Sequence, residues 1–259
     1  MNKSGKFAQV VALLLVLICI SPYLYVFLNS LRSAEGEWTL KYYYQTFLGS
    51  TQFLMRFWKS LFLCAVIAAG QMIVSTLAGF GFAKYQFPGK NLVFFLLMIL
   101  MIMPLQVTLV PNYIILNEMG LMNTYRALAL PAIFVPLGTF IMTQSFRAVP
   151  TEVIEAAQLD GTNTLGVIFK IMVPMSKSGL VCTLLLSFLD GWNMVEQPIV
   201  FLKELMQYPL AVALAYVPPG DPNIRLVCSI LVAIPPLLLF AFFNRELAEG
   251  IELGGGKAG

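Results

Sequence analysis

The sequence contains no histidine, and Lys, Arg, Asp and Glu together make up only 11% of its 259 residues. The lack of histidine excludes histidine-based catalytic triads, histidine general bases and the commonest zinc ligand. Soluble domains carry about 25% charged residues. With 59% hydrophobic residues and a mean hydropathy of +0.81, this chain cannot keep a whole surface hydrated. The composition therefore predicts an all-α, polytopic membrane protein.

Cysteine pairs and nucleotide-binding loops are also missing. The four cysteines stand alone within apolar runs, without C-x-x-C spacing, so neither a disulfide framework nor a metal site is expected. No G-x-x-x-x-G-K-[ST] string occurs, so the chain is not expected to bind ATP or hydrolyse it. A net charge of +3 is too small to indicate nucleic-acid binding.

Six apolar windows are long enough to span a bilayer, which needs about 20 residues. They cover residues 7–31, 60–83, 91–117, 127–146, 178–202 and 226–244. Segments in lipid must satisfy their own backbone groups, so each window is expected to be a helix. Six crossings place both termini on one side, and a small excess of Lys and Arg favours the cytoplasmic side. Prolines inside several windows indicate either ordinary tolerated kinks or bent helices around a pathway, and both interpretations stay open.

The long polar stretch between the fourth and fifth windows, residues 147–177, predicts a helix–turn–helix at the cytoplasmic membrane surface. Asp160-Gly161 is typical of a helix end, and Thr162, Asn163 and Thr164 offer caps for a second helix. Pro150 is expected to open the first helix and Pro174 to end the second. The second helix is expected to turn one apolar stripe inward, formed by Leu165, Ile168, Phe169 and Met172.

This stretch carries a motif of high specificity. Glu155-Ala156-Ala157 is followed after three residues by Gly161, and after nine more by Ile171-Met172-Val173-Pro174. The pattern resembles the EAA loop of ABC importer permeases, E-A-A-x3-G-x9-I-x-L-P, with valine in place of leucine. Further stretches, including Ala78–Lys84 and the Trp192-Asn193 pair, are similar to MalG-type permeases of carbohydrate ABC importers, which have a MetI-like transmembrane domain.

The resemblance implies one transmembrane domain over 1–259, a cytoplasmic coupling loop over 147–177 and a cytoplasmic C-terminal tail over 245–259. The loop would contact a separate ATPase. The residues implied there are Glu155, Ala156, Ala157, Asp160, Gly161, Ile171 and Pro174, and in the tail Gly250, Gly256 and Lys257. The implied partners are a second, homologous permease, two ATP-binding cassette subunits that hold ATP and Mg²⁺, and an extracytoplasmic solute-binding protein. The implied location is a bacterial or archaeal cytoplasmic membrane, with lipid around the chain.

The fifth window contains the two acidic residues of the spans. Asp190, Trp192, Asn193 and Glu196 are candidates for the solute pathway or for the interface with the second permease. A carboxylate within a membrane is costly unless it is hydrated or paired, which favours a cavity. Each of three residues also has a purely structural alternative. Trp192 could be an interfacial anchor, Asn193 a contact between helices and Glu196 an interfacial residue.

The expected function is that of a non-catalytic permease subunit that imports a sugar or oligosaccharide. Two alternatives remain at this point. The same scaffold could import another polar solute, such as a peptide or a polyol phosphate. A self-sufficient secondary transporter would instead show internal repeats and paired ionisable groups in its spans, and the sequence shows neither clearly.

Overall fold

The computed structural model describes residues 3–33, 35–216 and 222–254. Within these ranges the fold is helical, and the β structure is limited to an isolated bridge between Arg32 and Trp38. The all-α prediction is therefore confirmed. The helices are α1 (Lys3–Ser30), α2 (Lys41–Tyr43, continued by a π-helical turn over Tyr44–Leu48), α3 (Thr51–Lys84), α4 (Lys90–Ile102), α5 (Leu105–Glu118), α6 (Tyr125–Ile133), α7 (Pro136–Arg147), α8 (Thr151–Leu159), α9 (Thr164–Met175), α10 (Lys177–Trp192), α11 (Glu196–Phe201), α12 (Leu210–Ala213) and α13 (Pro222–Gly254).

Four segments of the described chain are long and apolar enough to cross a membrane unaided: Val11–Ser30, Thr51–Lys84, Tyr125–Arg147 and Pro222–Glu246. Two further pairs of helices qualify only together. Helices α4 and α5 meet at a bend of 105°, and α9 and α10 meet at 86°. Counting each bent pair as one span gives six, but the third predicted window is a broken span rather than a straight helix.

The fifth predicted window, 178–202, is not one helix. Helix α10 ends at Trp192, and a new short helix, α11, begins at Glu196. Pro198 explains the break, because it has no N–H to bond the carbonyl of Met194 and its ring clashes with a preceding helical turn. The consequence is that Asn193 and Glu196 lie at the two sides of a helix break instead of on a continuous span.

Helix α3 lies at the centre of the bundle and packs against α6, α7 and α10. Glycines allow α7 to approach α3 and α10 closely. A Cβ atom at Gly79 would lie 2.7 Å from Cβ of Met142 and 3.0 Å from the backbone nitrogen of Thr143 on α7. A Cβ atom at Gly179 of α10 would lie 2.0 Å from Oγ of Ser145. Small residues thus set the spacing of the three central helices, as is usual where lipid supplies no hydrophobic drive between them.

The same central contacts bury many hydroxyl groups. Several of these hydroxyl groups donate a hydrogen bond to the backbone carbonyl four residues earlier. Thr143 donates to Thr139 at 2.7 Å, and Ser187 donates to Thr183 at 2.6 Å. Gln71 on α3 donates to the carbonyl of Val135, where the chain breaks between α6 and α7. Polar groups are therefore interspersed in the mainly apolar interior, and most of them have a partner, as a low-dielectric environment requires.

The periphery is apolar and exposed. The apolar window of α1 has 0% of its residues buried, and α1 packs chiefly against α13. In the bent pair α4–α5, only Phe94 and Leu116 are buried. Such surfaces in a membrane protein contact lipid or another membrane subunit.

Helix α13 is longer than its predicted window of 226–244. It runs from Pro222 to Gly254 and therefore continues through the first ten residues of the predicted C-terminal tail. Its two central prolines, Pro235 and Pro236, do not end it.

The close contact between α3 and α7 gives a direct test. We expect Gly79→Ala to destabilise the protein by about 1–3 kcal/mol, because its methyl group meets the backbone of α7. Gly81→Ala is the matched control on the same helix, since a Cβ atom there meets nothing within 4 Å. The control should be neutral or stabilise by about 0.5–1 kcal/mol, as alanine favours the helix. Thermal unfolding in detergent measures both, and equal melting temperatures would contradict the packing argument.

Candidate functional site

Helix α8 ends in a glycine-dependent turn. Gly161 has φ of +80°, in the left-handed region that favours glycine. The backbone N–H of Thr162 bonds to the carbonyl of Ala157 at 3.0 Å, and that of Gly161 bonds to Gln158 at 3.0 Å. This pair of bonds is the Schellman arrangement, which satisfies the last carbonyls of the helix and reverses the chain. Nothing lies within 4 Å of a Cβ at Gly161, so φ rather than space requires glycine here.

Helix α9 begins at an asparagine cap. The side-chain oxygen of Asn163 accepts from the backbone N–H of Gly166 at 2.8 Å. The helix then widens into a π-helical turn over Val167–Met172 before it ends at Met175. Pro174 was predicted to end this helix. It lies instead within the last helical turn, one residue before the end. Helix α8 likewise begins at Thr151, one residue later than expected, with Pro150 as its N-cap.

The π-helical turn changes which residues of α9 face inward. The predicted inward stripe is wrong at two of its four positions, because Leu165 and Phe169 are exposed while Ile168 and Met172 are buried. Val167 is buried as well, at 1% exposure. A π-helix bonds residue i to i+5, so the spacing of 3.6 residues per turn that we applied does not hold across it.

The inner side of the α8–α9 segment is anchored to the bundle. A single apolar cluster joins both helices to α3 and α7: Phe80, Met142, Phe146, Val149, Ile154, Ala157, Val167, Ile168 and Met172. Ile171 packs against it as a partly buried neighbour. The ammonium group of Lys84, at the end of α3, donates to the carbonyl of Val149. The segment is therefore held as one body with the central helices.

The outer side of the segment presents charge beside large apolar side chains. Glu155, Ala156, Asp160, Gly161 and Pro174 are exposed. Three large apolar residues are also exposed: Leu159 at 89%, Leu165 at 58% and Phe169 at 50%. Ala157 differs from its neighbour Ala156, since it is only 7% exposed and belongs to the inner cluster. The two alanines of the motif therefore have different environments: Ala157 packs inward, and Ala156 lies on the outer side.

A second group of polar side chains lies around the helix breaks. Asp190 lies in the last turn of α10 and Asn193 directly follows this helix, and both are exposed. Asp190 makes no hydrogen bond or ion pair with any described residue, whereas the amide of Asn193 bonds back to Leu189 at 3.0 Å. Glu196 accepts from the amide of Gln106 at 3.0 and 3.1 Å to its two oxygens. Sequence reasoning missed Gln106, whose signal was a polar residue just past Pro104 in an apolar run.

Trp192 is not part of this exposed group. It is 4% exposed, stacks on Phe188 with ring centroids 5.7 Å apart, and donates its indole N–H to the carbonyl of Val232 at 3.0 Å. Val232 lies four residues before Pro236, which has no N–H with which to bond that carbonyl. Trp192 therefore replaces a hydrogen bond that proline removes from α13, which is a structural role inside the bundle and not that of the interfacial anchor suggested by the sequence.

The predicted contacts of the tail are placed only in part. Gly250 lies within α13. Gly256 and Lys257 lie outside the described residues. Within the predicted tail, Glu246 accepts an ion-pair hydrogen bond from Lys177 at 2.9 Å, which links the last part of α13 to the start of α10. In the described ranges, no group of three Cys, Asp or Glu side chains is arranged to hold a metal ion.

Comparison with known proteins places this geometry in context. Residues 73–196 match the family described as binding-protein-dependent transport system inner membrane component. The chain is 32% identical over 204 residues to the arabinooligosaccharides transport system permease protein AraQ of Halalkalibacterium halodurans, covering 78% of this chain and 73% of that protein. It is 26% identical over 199 residues to the sn-glycerol-3-phosphate transport system permease protein UgpE of Brucella melitensis, covering 75% and 71%.

A solved structure has the same fold. It is a chain of a bacterial ABC transporter involved in the import of the acidic polysaccharide alginate, and it superposes with a TM-score of 0.79. The match covers 95% of this chain and 98% of the other, at 18% sequence identity.

The bond between Trp192 and Val232 can be tested with a double-mutant cycle. Trp192→Phe should lower stability by about 1–3 kcal/mol, because it leaves a buried carbonyl without a donor. In a Pro236→Ala background the backbone regains an N–H four residues after Val232, so the same substitution should cost measurably less. Melting temperatures of the four proteins give the coupling, and strictly additive effects would contradict this role for Trp192.

Proposed function

Because this chain belongs to the family of binding-protein-dependent transport system inner membrane components, the permeases of ABC importers, we propose that it forms half of a pathway for a sugar or oligosaccharide. Its outer α8–α9 surface receives the force of a separate ATPase. The observation that carries the proposal is the two-sided α8–α9 segment, with its inner side packed against the central helices and its outer side open.

The exposed side of this segment suits a protein groove. Leu159, Leu165 and Phe169 supply apolar area that contributes to binding only when it is covered. Glu155 can form a charge-assisted hydrogen bond with a basic residue of the groove and so fix its orientation. Movement of the groove would pass through the inner cluster to Phe80 on α3 and Phe146 on α7. The segment is then a rigid lever, because its ends are capped and its inner side is packed.

The remaining partners follow from the family. A second permease would cover the exposed apolar surface of the α4–α5 pair, and a solute-binding protein would deliver cargo on the side opposite α8–α9. ATP and Mg²⁺ would bind to two cassette subunits, in keeping with the lack of a phosphate-binding loop in this sequence.

The permease is a multi-pass protein of the cytoplasmic membrane. We propose that both termini and the α8–α9 segment lie in the cytoplasm.

The polar group at the helix breaks supports a neutral, hydroxyl-rich cargo. Carboxylate and amide groups bond well to hydroxyls. Asp190 and Glu196 are exposed carboxylates on either side of the break between α10 and α11, and like charges would repel an anionic solute strongly where water is scarce. This favours the sugar named for AraQ over the phosphate ester named for UgpE.

The coupling role can be tested by co-purification. We expect Glu155→Lys and Ala156→Trp to lose the ATPase subunits in mild-detergent affinity purification and to abolish uptake, because both alter the exposed side without touching the inner cluster. Glu118→Lys, an equal charge reversal at the far end of α5, should retain the subunits. Membrane levels of each variant show whether it inserts. Normal uptake by Ala156→Trp would overturn the proposal, as would a wild-type chain that purifies without any ATPase.

The pathway role makes a different prediction. Asp190→Leu should reduce solute uptake at least about tenfold, since a carboxylate that contacts a hydroxyl-rich solute contributes roughly 1.5–3 kcal/mol. The ATPase subunits should still co-purify, which separates this defect from loss of coupling. Leu186→Ala, one turn earlier on the same side of α10, is the control for local packing. Uptake by Asp190→Leu equal to that of the control would show that Asp190 does not meet the solute.

A further inference from the structure

A cavity of about 400 Å³ lies at the end of the molecule opposite the α8–α9 segment. It is bounded by the π-helical turn after α2, the first turns of α3, the chain from Leu205 to Leu214 and the first turns of α13. Its volume is within the usual range for small-ligand sites. Its lining includes no residue of the α8–α9 segment and none of the polar group at the helix breaks.

Arg56 lies in the wall of this cavity and has no counter-ion among the residues that the structure describes. Arg56 donates from Nη2 to the carbonyl of Leu205 at 3.2 Å and contacts Sδ of Met206 at 3.4 Å. Its Nε is buried and has no acceptor. No carboxylate of the described residues lies within 4.0 Å of the guanidinium group. A buried part of a permanent cation is costly without an anion, so the site favours a negatively charged occupant.

A second buried group points to the same occupant. Thr46 lines the cavity, is only 5% exposed, and its hydroxyl oxygen has no hydrogen-bond partner in the described part of the chain. Buried hydroxyl groups in folded proteins are almost always bonded to protein or to an ordered molecule. A ligand with acceptor oxygens would satisfy both the Thr46 hydroxyl and the free N–H of Arg56.

The rest of the lining and the level of the cavity indicate an amphiphile. Phe53, Leu214 and Ile224 make much of the wall apolar. Helix α3 has 34 residues and is about 50 Å long, so its first turns extend beyond a hydrocarbon core of about 30 Å. Trp58 is exposed close to Arg56 on this helix, as is typical of the boundary between lipid chains and headgroups. The cavity therefore lies where a lipid phosphate would be found.

We propose that this cavity binds the headgroup of an anionic phospholipid. The phosphate would accept charge-assisted hydrogen bonds from Arg56 and a further bond from Thr46. The first methylenes of one acyl chain would enter the apolar part, and the remainder would follow the exposed apolar surface of the bundle. Lipid bound here would hold the π-helical turn, α3 and α13 together at the membrane boundary, independently of the transported solute.

The test uses the full-length chain, purified in mild detergent with the subunits that stay bound to it. Native mass spectrometry and thermal shift are recorded with added dioleoyl phosphatidylglycerol, and separately with dioleoyl phosphatidylcholine. Wild type should bind phosphatidylglycerol preferentially and melt at a higher temperature with it. Arg56→Gln keeps a donor for Leu205 but loses the charge, and should weaken this binding at least about tenfold. Lys59→Gln, an equal loss of charge on an exposed side chain outside the cavity, should bind as wild type does.

Thr46→Val provides a second variant that should fold even if Arg56→Gln does not. It removes a buried hydroxyl without a partner, so the lipid-free protein should melt at the same or a higher temperature, while phosphatidylglycerol stabilises it less than wild type. Inorganic phosphate and glycerol 3-phosphate distinguish a soluble anion from a lipid. Stabilisation by these equal to that of phosphatidylglycerol would overturn the lipid assignment, and so would equal binding of the two lipids or wild-type binding by both Arg56→Gln and Thr46→Val.

Discussion

The close approach of α7 to α3 and to α10 is the contact on which the rest of the molecule depends. Gly79 and Gly179 permit it, because a single methyl group at either position would collide with the neighbouring helix. In lipid, helices gain little from burying apolar side chains against one another, so short backbone distances and internal hydrogen bonds must hold them. The α8–α9 segment packs on this centre through Phe80 and Phe146, and the polar helix breaks lie beside it.

Proline is abundant in the membrane helices, and side chains compensate for some of the hydrogen bonds it removes. Ser21 donates to the carbonyl of Ile18 at 2.9 Å, which lies four residues before Pro22. Trp192 does the same for Val232 across two helices. These bonds let α1 and α13 remain continuous despite their prolines. Helices α5 and α6 continue through Pro111 and Pro131, whereas the chain breaks at Pro104 and Pro198. Those breaks place Gln106, Asn193 and Glu196 at exposed positions.

The α8–α9 segment shows what a motif can and cannot predict. The spacing of Glu155, Ala156, Ala157 and Gly161 predicted two helices joined by a glycine turn, because left-handed φ and helix caps are set by local sequence. Which residues face outward was predicted less well. Leu165 and Phe169 were expected inside and are outside, since no local signal announced a π-helical turn. The two adjacent alanines were indistinguishable until packing separated them.

The sequence by itself determined the membrane class, the helical fold, the regions in which most spans lie and the family, because composition, hydrophobic length and a rare motif are properties of the chain alone. The tertiary structure decided which carbonyls found side-chain donors, and it decided where helices bent, broke or continued. It also decided that Trp192 is a structural core residue, that Gln106 meets Glu196, and that Arg56 and Thr46 share one cavity. These facts depend on contacts between residues far apart in sequence, such as the 149 positions between Arg56 and Leu205, and spacing within a helix carries no information about them.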